Sequence, residues 1–206
     1  MFVRGTRGNG SQSLSVGCVI HAPHGAAGQV RESRTLPSLL YQILTMSVSF
    51  AAMANYIRPR ATGASVFFTV ALEQRGAALL VDHVARLREA VAVTKAERPF
   101  EIQAWVVLPD HLHCVWTLPG GDGDFSTRWR LIKARFSRAL PAGHLRRSHV
   151  ARQERGIWQR RFWEHHIRDQ SDMAAHVRYC WTDPVKHGLV DCPRQWPYSS
   201  IHRDLR

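Results

Sequence analysis

Two apolar runs separated by only two residues constrain this chain more than any other feature. "FEIQAWVVL" (100–108) and "HLHCVWTL" (111–118) are rich in β-branched and aromatic residues, and only Pro109 and Asp110 stand between them. Runs of this composition favour β-strands, and two strands joined by so short a connection pair with each other as an antiparallel hairpin. The middle of the chain therefore predicts a hairpin against which the other elements must pack.

The segments around this hairpin alternate between strand and helix patterns. "SVFFTVALE" (65–73) repeats its apolar residues with a period of two, whereas the segment from Leu80 to Pro99 repeats them at helical spacing. "TRWRLIKARFSRAL" predicts an amphipathic basic helix, and "RFWEHHIR" predicts a fourth strand. "MAAHVRYCWTD" predicts a last helix, which Pro184 is expected to end at Asp183. The Arg-rich stretch 141–157 has no clear period and predicts a loop.

This order of elements predicts the fold class. A β-α-β-β-α-β succession is typical of an α+β protein with a ferredoxin-like antiparallel sheet, and the additional C-terminal helix carries Tyr179.

The first part of the chain differs in composition from the rest. Gly, Ser and scattered Arg residues are followed by an uncharged run from Leu36 to Ala54. One interpretation is a signal peptide or membrane anchor, although the run begins late for a cleaved signal. The other is that native translation begins at Met46 or Met53. We favour the second, and predict that 1–52 is a poorly structured extension and that 53–206 is the folded domain.

A formal net charge of +12 makes polyanions the leading class of partner, and among them nucleic acid. A merely basic protein is the alternative, so the location of the charge must decide. The basic side chains that we predict to follow DNA phosphates lie in the basic helix and beside the fourth strand: Arg128, Arg130, Lys133, Arg135, Arg138, Arg160 and Arg161. Trp158, Trp163 and Trp196 can stack on unpaired bases, although aromatic residues in such runs more often belong to a core.

Two pairs of residues can carry chemistry. His111 and His113 alternate with Leu112 in a predicted strand, so they project from one face about 7 Å apart, close enough to share a divalent ion. Since the chain has 12 His in 206 residues, such a pair can also arise by chance. Tyr179 and Asp183 lie one helical turn apart on one face, as a nucleophile and a metal ligand would. A half-buried tyrosine on an amphipathic helix remains the alternative.

Four ordered blocks carry a family resemblance: "IQAWVVLPDHLH", "WQRRFWEH", "VRYCWTDPVKHG" and "WPYSSIHRD". In this order they resemble the REP-associated tyrosine transposases, single-tyrosine members of the HUH superfamily of single-stranded DNA endonucleases. The resemblance runs from about Met53 to Arg203. It implies that His111 and His113 are metal ligands for Mg²⁺ or Mn²⁺ and that Tyr179 is the nucleophile. Asp183 takes the position of the third ligand, where the family has Asn.

The resemblance further implies a function. The chain is expected to bind REP-type hairpins of single-stranded DNA, and to cleave and rejoin them through a 5′-phosphotyrosine intermediate. A domesticated protein that binds REP hairpins without cutting them is the alternative, and a metal-dependent hydrolase that uses water is a third. A monomer and a homodimer that exchanges the tyrosine helix both remain open. The expected location is the bacterial cytoplasm, at the nucleoid, without membrane association. No role follows for "VKHG" beyond a loop that supports the helix.

Overall fold

The computed structural model describes residues 61–205, so the predicted extension at 1–52 lies outside the described residues. The strands are β1 (Ser65–Ala71), β2 (Glu101–Val107), β3 (His111–Thr117) and β4 (Trp163–His166). The α-helices are α1 (Leu79–Asp82), α2 (Val84–Glu97), α3 (Phe125–Ser137), α4 (Arg147–Ala151), α5 (Gln170–Lys186) and α6 (Ile201–Asp204), with a 3₁₀ turn at Pro193–Gln195.

The four strands form one sheet in the order β2-β3-β1-β4, and all neighbouring strands are antiparallel. β2 and β3 form the predicted hairpin, which is closed by a hydrogen bond of 2.8 Å from Leu108 N to His111 O. The predicted α+β class with an antiparallel sheet is confirmed.

The two faces of the sheet bury different side chains because neighbouring residues of a strand point in opposite directions. On one face, Phe68 and Trp116 pack with α2 and α3 in the larger core. On the other face, Phe67 and Val115 pack in a second core with residues of α5. The sheet therefore lies between the basic helix α3 and the tyrosine helix α5.

The prediction that Pro184 ends the last helix at Asp183 is wrong. α5 continues to Lys186, because a proline in the last turn removes only one intrahelical hydrogen bond. Backbone bonds of 3.0 Å from His187 N to Asp183 O and from Leu189 N to Pro184 O complete the turn. Gly188, with φ of +65°, then ends the helix in the left-handed region that favours glycine. The extra turn places Lys186 and His187 beside Asp183.

The stretch predicted as a loop, 141–157, contains the short helix α4 and the buried His149. Between residues 61 and 205, no helix has the length and apolar character needed to cross a membrane.

Candidate active site

His111, His113 and Asp183 converge between β3 and α5. Asp183 Oδ2 lies 3.3 Å from His113 Nε2 and 3.7 Å from His111 Nε2, and one possible ligand atom from each residue lies within 4.8 Å of the others. All three side chains are buried. The structure thus brings together the three residues that the sequence suggested as metal ligands, although they come from elements about 70 residues apart.

The two imidazoles are held by hydrogen bonds at their other nitrogen atoms. His111 Nδ1 lies 2.6 Å from Asp110 Oδ1, and His113 Nδ1 lies 2.9 Å from Oγ1 of Thr69, its neighbour across β1. Such outer partners orient the ring and leave Nε2 available to ligate a metal. Sequence reasoning missed both partners: Asp110 directly precedes His111, whereas Thr69 can be found only from the strand register.

The carboxylate of Asp183 is unusual because its buried Oδ2 has no close, well-directed hydrogen bond, although the imidazole nitrogen atoms of His113 and His111 face it. Burial opposes its ionisation, but the facing imidazoles of His111 and His113 outweigh this effect and lower its pKa far below the usual range. Burial also lowers the pKa of His113, more than Asp183 raises it. A carboxylate oxygen and two imidazole Nε2 atoms that face one another are a suitable donor set for a divalent cation. The residues present therefore fit the metal that the sequence resemblance implies.

A second group of possible metal ligands among residues 61–205 has a carboxylate that hydrogen bonds within the protein already satisfy. Asp172 Oδ2 accepts from His165 Nε2 at 2.9 Å and from Arg168 Nε at 3.2 Å, and Oδ1 lies 3.1 Å from His176 Nδ1. Burial opposes the ionisation of Asp172, yet these hydrogen bonds lower its pKa to about 2. A cation would have to displace a guanidinium that already neutralises the carboxylate. This cluster therefore ties the start of α5 to β4.

Tyr179 lies one turn before Asp183 on α5, next to the imidazole pair. Its ring is perpendicular to that of His113 with the centres 5.1 Å apart, and it also contacts Phe67 at 5.7 Å. Partial burial and then the nearby carboxylate of Asp183 raise its pKa well above the ordinary value. The phenol is therefore protonated at neutral pH and lies beside the imidazole pair.

Two exposed basic side chains of "VKHG" border this buried group. Lys186 Nζ lies 3.9 Å from the centre of the Tyr179 ring, and His187 Nε2 lies 3.6 Å from Asp183 Oδ2. Neither residue was assigned a role from the sequence, because their approach to the site depends on the helical turn that continues past Pro184.

The residues of α3 predicted to bind DNA are not beside Tyr179, since this helix packs on the opposite face of the sheet. Arg130 and Arg138 are exposed, whereas Arg135 pairs with Glu97 at 2.5 Å. Arg128 is only 1% exposed, and its guanidinium donates to protein oxygens.

The other predicted contacts lie near the start of β4. Lys133 Nζ donates to Gln159 O at 2.8 Å, and Arg160 pairs with Glu154 at 2.7 Å. Arg160 and Arg161 are exposed. Two of the three tryptophans suggested for base stacking donate their indole N–H to protein groups: Trp158 to Ser137 Oγ and Trp196 to Val107 O. These bonds favour the alternative that Trp158 and Trp196 are packing residues.

No protein-family model matches the chain. The chain is 47% identical over 153 residues to the REP-associated tyrosine transposase of Escherichia coli (strain K12), covering 74% of this chain and 86% of that protein. A relative from Haemophilus influenzae that carries the same family name is 42% identical over 156 residues, covering 75% of this chain and 89% of that protein. A solved structure of a REP-associated tyrosine transposase bound to a REP hairpin is similar with a TM-score of 0.65 and 47% identity, covering 74% of this chain and 86% of that chain.

Proposed function

The chain belongs to the REP-associated tyrosine transposases, and from that membership we propose that it cleaves and rejoins REP-like hairpin DNA through a covalent tyrosine intermediate. The observation that carries the proposal is the convergence of the Tyr179 phenol, two oriented imidazoles and a buried carboxylate oxygen that faces them. A structural tyrosine would not require such a carboxylate beside it.

In the proposed reaction, Tyr179 Oη attacks the phosphorus of one DNA phosphodiester. The bond from phosphorus to the 3′ oxygen breaks as the phosphotyrosine bond forms, the phenol proton leaves to solvent, and the 3′ oxygen takes up a proton. His111, His113 and Asp183 would hold Mg²⁺ or Mn²⁺, and the bound ion supplies Lewis-acid stabilisation of charge on a phosphate oxygen. Phe67 and His113 hold the phenol ring at a fixed angle beside that group.

The covalent intermediate makes the reaction reversible. The phosphotyrosine bond retains the free energy of the phosphodiester, so a DNA 3′-OH can attack it and restore a DNA linkage without ATP. The product of cleavage is a 5′-phosphotyrosine and a free 3′-OH, as a strand-transferase requires. A hydrolase that activates water would instead release a 5′-phosphate.

Asp183 stands where the family has Asn, and this difference changes the charge of the proposed metal site. A carboxylate adds a full negative charge to a buried site, so it should bind a divalent cation more strongly than an amide would. Burial and then the same charge raise the pKa of Tyr179, and a cation bound by Asp183 would oppose the second effect. We therefore propose that Asp183 would hold the cation more firmly than Asn does, and that its unscreened charge keeps the Tyr179 phenol protonated.

The proposed DNA surface differs from the one expected from the sequence. We retain three exposed arginines of that set as phosphate contacts and leave out Arg128, which is buried; the retained residues are Arg130, Arg138 and Arg161. Lys133, Arg135 and Arg160 already bind protein groups, so we propose that they contribute charge rather than direct contacts.

Three further parts of the proposal concern the whole protein. The strand order β2-β3-β1-β4 with antiparallel neighbours supports the ferredoxin-like assignment of the sheet, and Tyr179 on α5 supports the additional tyrosine helix.

A DNA substrate of this kind suggests a bacterial cytoplasmic location at the nucleoid. Tyr179 and the imidazoles meet within one chain, which supports activity as a monomer, and light scattering with and without DNA would detect a dimer.

A Tyr179→Phe variant tests the proposal with REP-like hairpin DNA labelled at its 3′ end, so that the label stays on the strand that becomes attached to protein. The wild type should form a labelled protein adduct that survives a denaturing gel. The variant should bind the hairpin equally well and form no adduct. If the wild type and the variant behave identically and neither forms an adduct, the result favours a protein that only binds DNA. Cleavage that survives the substitution favours a hydrolase.

A further inference from the structure

The motif "VKHG" was left without a role by the sequence, and the structure places its lysine on the candidate nucleophile. The chain contains only three lysines, Lys95, Lys133 and Lys186. Lys186 Nζ lies 3.9 Å from the centre of the Tyr179 ring, and its side chain is on the exposed side of the site. This contact requires a helix that continues past Pro184, because Lys186 is the seventh residue after Tyr179, about two helical turns further on.

The charges around Tyr179 are distributed unevenly. On the buried side are Asp183 and the two imidazoles, which are the proposed metal ligands. On the exposed side is the ammonium of Lys186, which lies over the ring of Tyr179, with the carboxylate of Asp183 near enough to attract it. A phosphodiester carries a negative charge and must reach the phenol from solvent, so it approaches from the side of Lys186.

We propose that Lys186 is a further catalytic residue, whose ammonium group contacts a non-bridging oxygen of the scissile phosphate while its stem holds the Tyr179 ring. The proposal rests on the function proposed above. During attack, negative charge accumulates on the non-bridging oxygens, and a cation already in place stabilises that charge without reorganisation. Lysine suits this position because its compact ammonium can rotate to follow one oxygen, whereas the planar guanidinium of arginine requires a wider approach.

The test compares Lys186→Met and Lys186→Gln with Lys186→Arg and with the matched control Lys95→Met. Lys95 is exposed on α2, on the opposite face of the sheet, so its loss removes one positive charge without touching the site. The rate of covalent adduct formation is measured in a single turnover with protein in excess, and hairpin affinity is measured separately by fluorescence anisotropy with Tyr179→Phe present in every variant. Thermal unfolding shows that each variant is folded.

The neutral variants should slow adduct formation about a hundredfold, the usual cost of removing one group that stabilises a transition-state oxyanion. Lys186→Arg should recover a substantial part of the rate because it restores the charge. Lys95→Met should form the adduct at the wild-type rate. Hairpin affinity should fall modestly in the neutral Lys186 variants, which lose one phosphate contact, and should stay close to the wild-type value in Lys95→Met.

A substrate modification tests the contact directly. In a methylphosphonate, one non-bridging oxygen of the scissile phosphate is replaced by a methyl group, and the two diastereomers probe the two oxygens. For the diastereomer that lacks the oxygen contacted by Lys186, the wild type should form the adduct more slowly than it does with ordinary DNA. With this diastereomer, Lys186→Met should be only slightly slower than the wild type, because the contact is already missing. For the other diastereomer, the rate loss caused by Lys186→Met and the rate loss caused by the methyl group should multiply, because they affect different oxygens.

The outcomes separate this inference from the proposed function. If the wild type forms no adduct with ordinary DNA, the proposed function fails, whatever Lys186 does. If the wild type forms the adduct and Lys186→Met reacts as fast as Lys95→Met, Lys186 is not catalytic. The inference would also be overturned if the rate losses from Lys186→Met and from the methyl group multiplied for both diastereomers. The same holds if Lys186→Met lowered only the affinity for the hairpin and left the rate of adduct formation unchanged.

Discussion

Replacing Arg128 by Met should destabilise the fold without removing a DNA contact. The side chain is only 1% exposed, and its guanidinium donates four hydrogen bonds. Nε donates to Arg98 O at 3.2 Å, and Nη1 donates to Asp124 O at 3.0 Å. Nη2 donates to Pro99 O at 2.8 Å and to Asp122 Oδ2 at 2.7 Å. These bonds tie the start of α3 to the end of α2, so Arg128 acts as an internal connector.

The expected loss in the free energy of unfolding follows from the hydrogen-bond acceptors that the substitution leaves without a donor. Met fills most of the space of the arginine stem, so the loss of apolar contact is small. Three backbone carbonyls lose their donor, at a cost of about 1 to 3 kcal/mol for each that stays buried and unpaired. The side chain of Asp122 is 35% exposed, so water replaces its lost partner at little cost. With some water entry at the carbonyls, we expect a total loss of roughly 3 to 5 kcal/mol, a large part of the 5 to 15 kcal/mol typical of a domain.

Urea unfolding followed by circular dichroism measures this loss, with Arg130→Met and Arg138→Met as controls from α3 and the residue that follows it. Both control side chains are exposed, so each substitution should change stability by less than about 0.5 kcal/mol. Each control should instead weaken hairpin binding and reduce the slope of log affinity against log salt by about 0.7 to 0.9. If Arg128→Met unfolds at the same urea concentration as the wild type and weakens binding as Arg130→Met does, then Arg128 binds DNA and the structural argument is wrong.

Three other predictions concern the site and its helix. Asp183→Asn should weaken Mn²⁺ binding, measured by electron paramagnetic resonance, because an amide lacks the charge of the carboxylate; equal affinity would count against Asp183 as a ligand. The pKa of Asp172, lowered from 3.8 to about 2, contributes roughly 2 kcal/mol to stability above about pH 4, and this contribution disappears as the pH falls towards 2. The difference in urea stability between wild type and Asp172→Asn should therefore shrink on acidification, and a constant difference would contradict the assignment. Gly188→Ala should cost about 1 kcal/mol in thermal unfolding, since its φ of +65° strains any residue with a Cβ; an unchanged melting temperature would show that the turn can relax.

Local patterns in the sequence determined much of this protein. The hairpin of β2 and β3 followed from two apolar runs with two residues between them, and His111 and His113 shared a face because side chains alternate along a strand. Tyr179 and Asp183 shared a face because a helix repeats after 3.6 residues. Each of these relations depends only on neighbours along the chain. The roles of the four residues came from a different source, the resemblance of four sequence blocks to a family.

Tertiary structure alone decided which of these faces meet. No local pattern shows that α5 packs on the sheet face that carries the imidazoles, or that Thr69 lies across from His113. The same holds for the burial of Arg128, which looked like its exposed neighbours because a basic residue on a helix is normally solvated. Lys186 reaches Tyr179 only because packing carries the helix past Pro184, against the local preference of proline. In each case the deciding contacts join residues distant in sequence, and their energies outweigh the preferences of single residues.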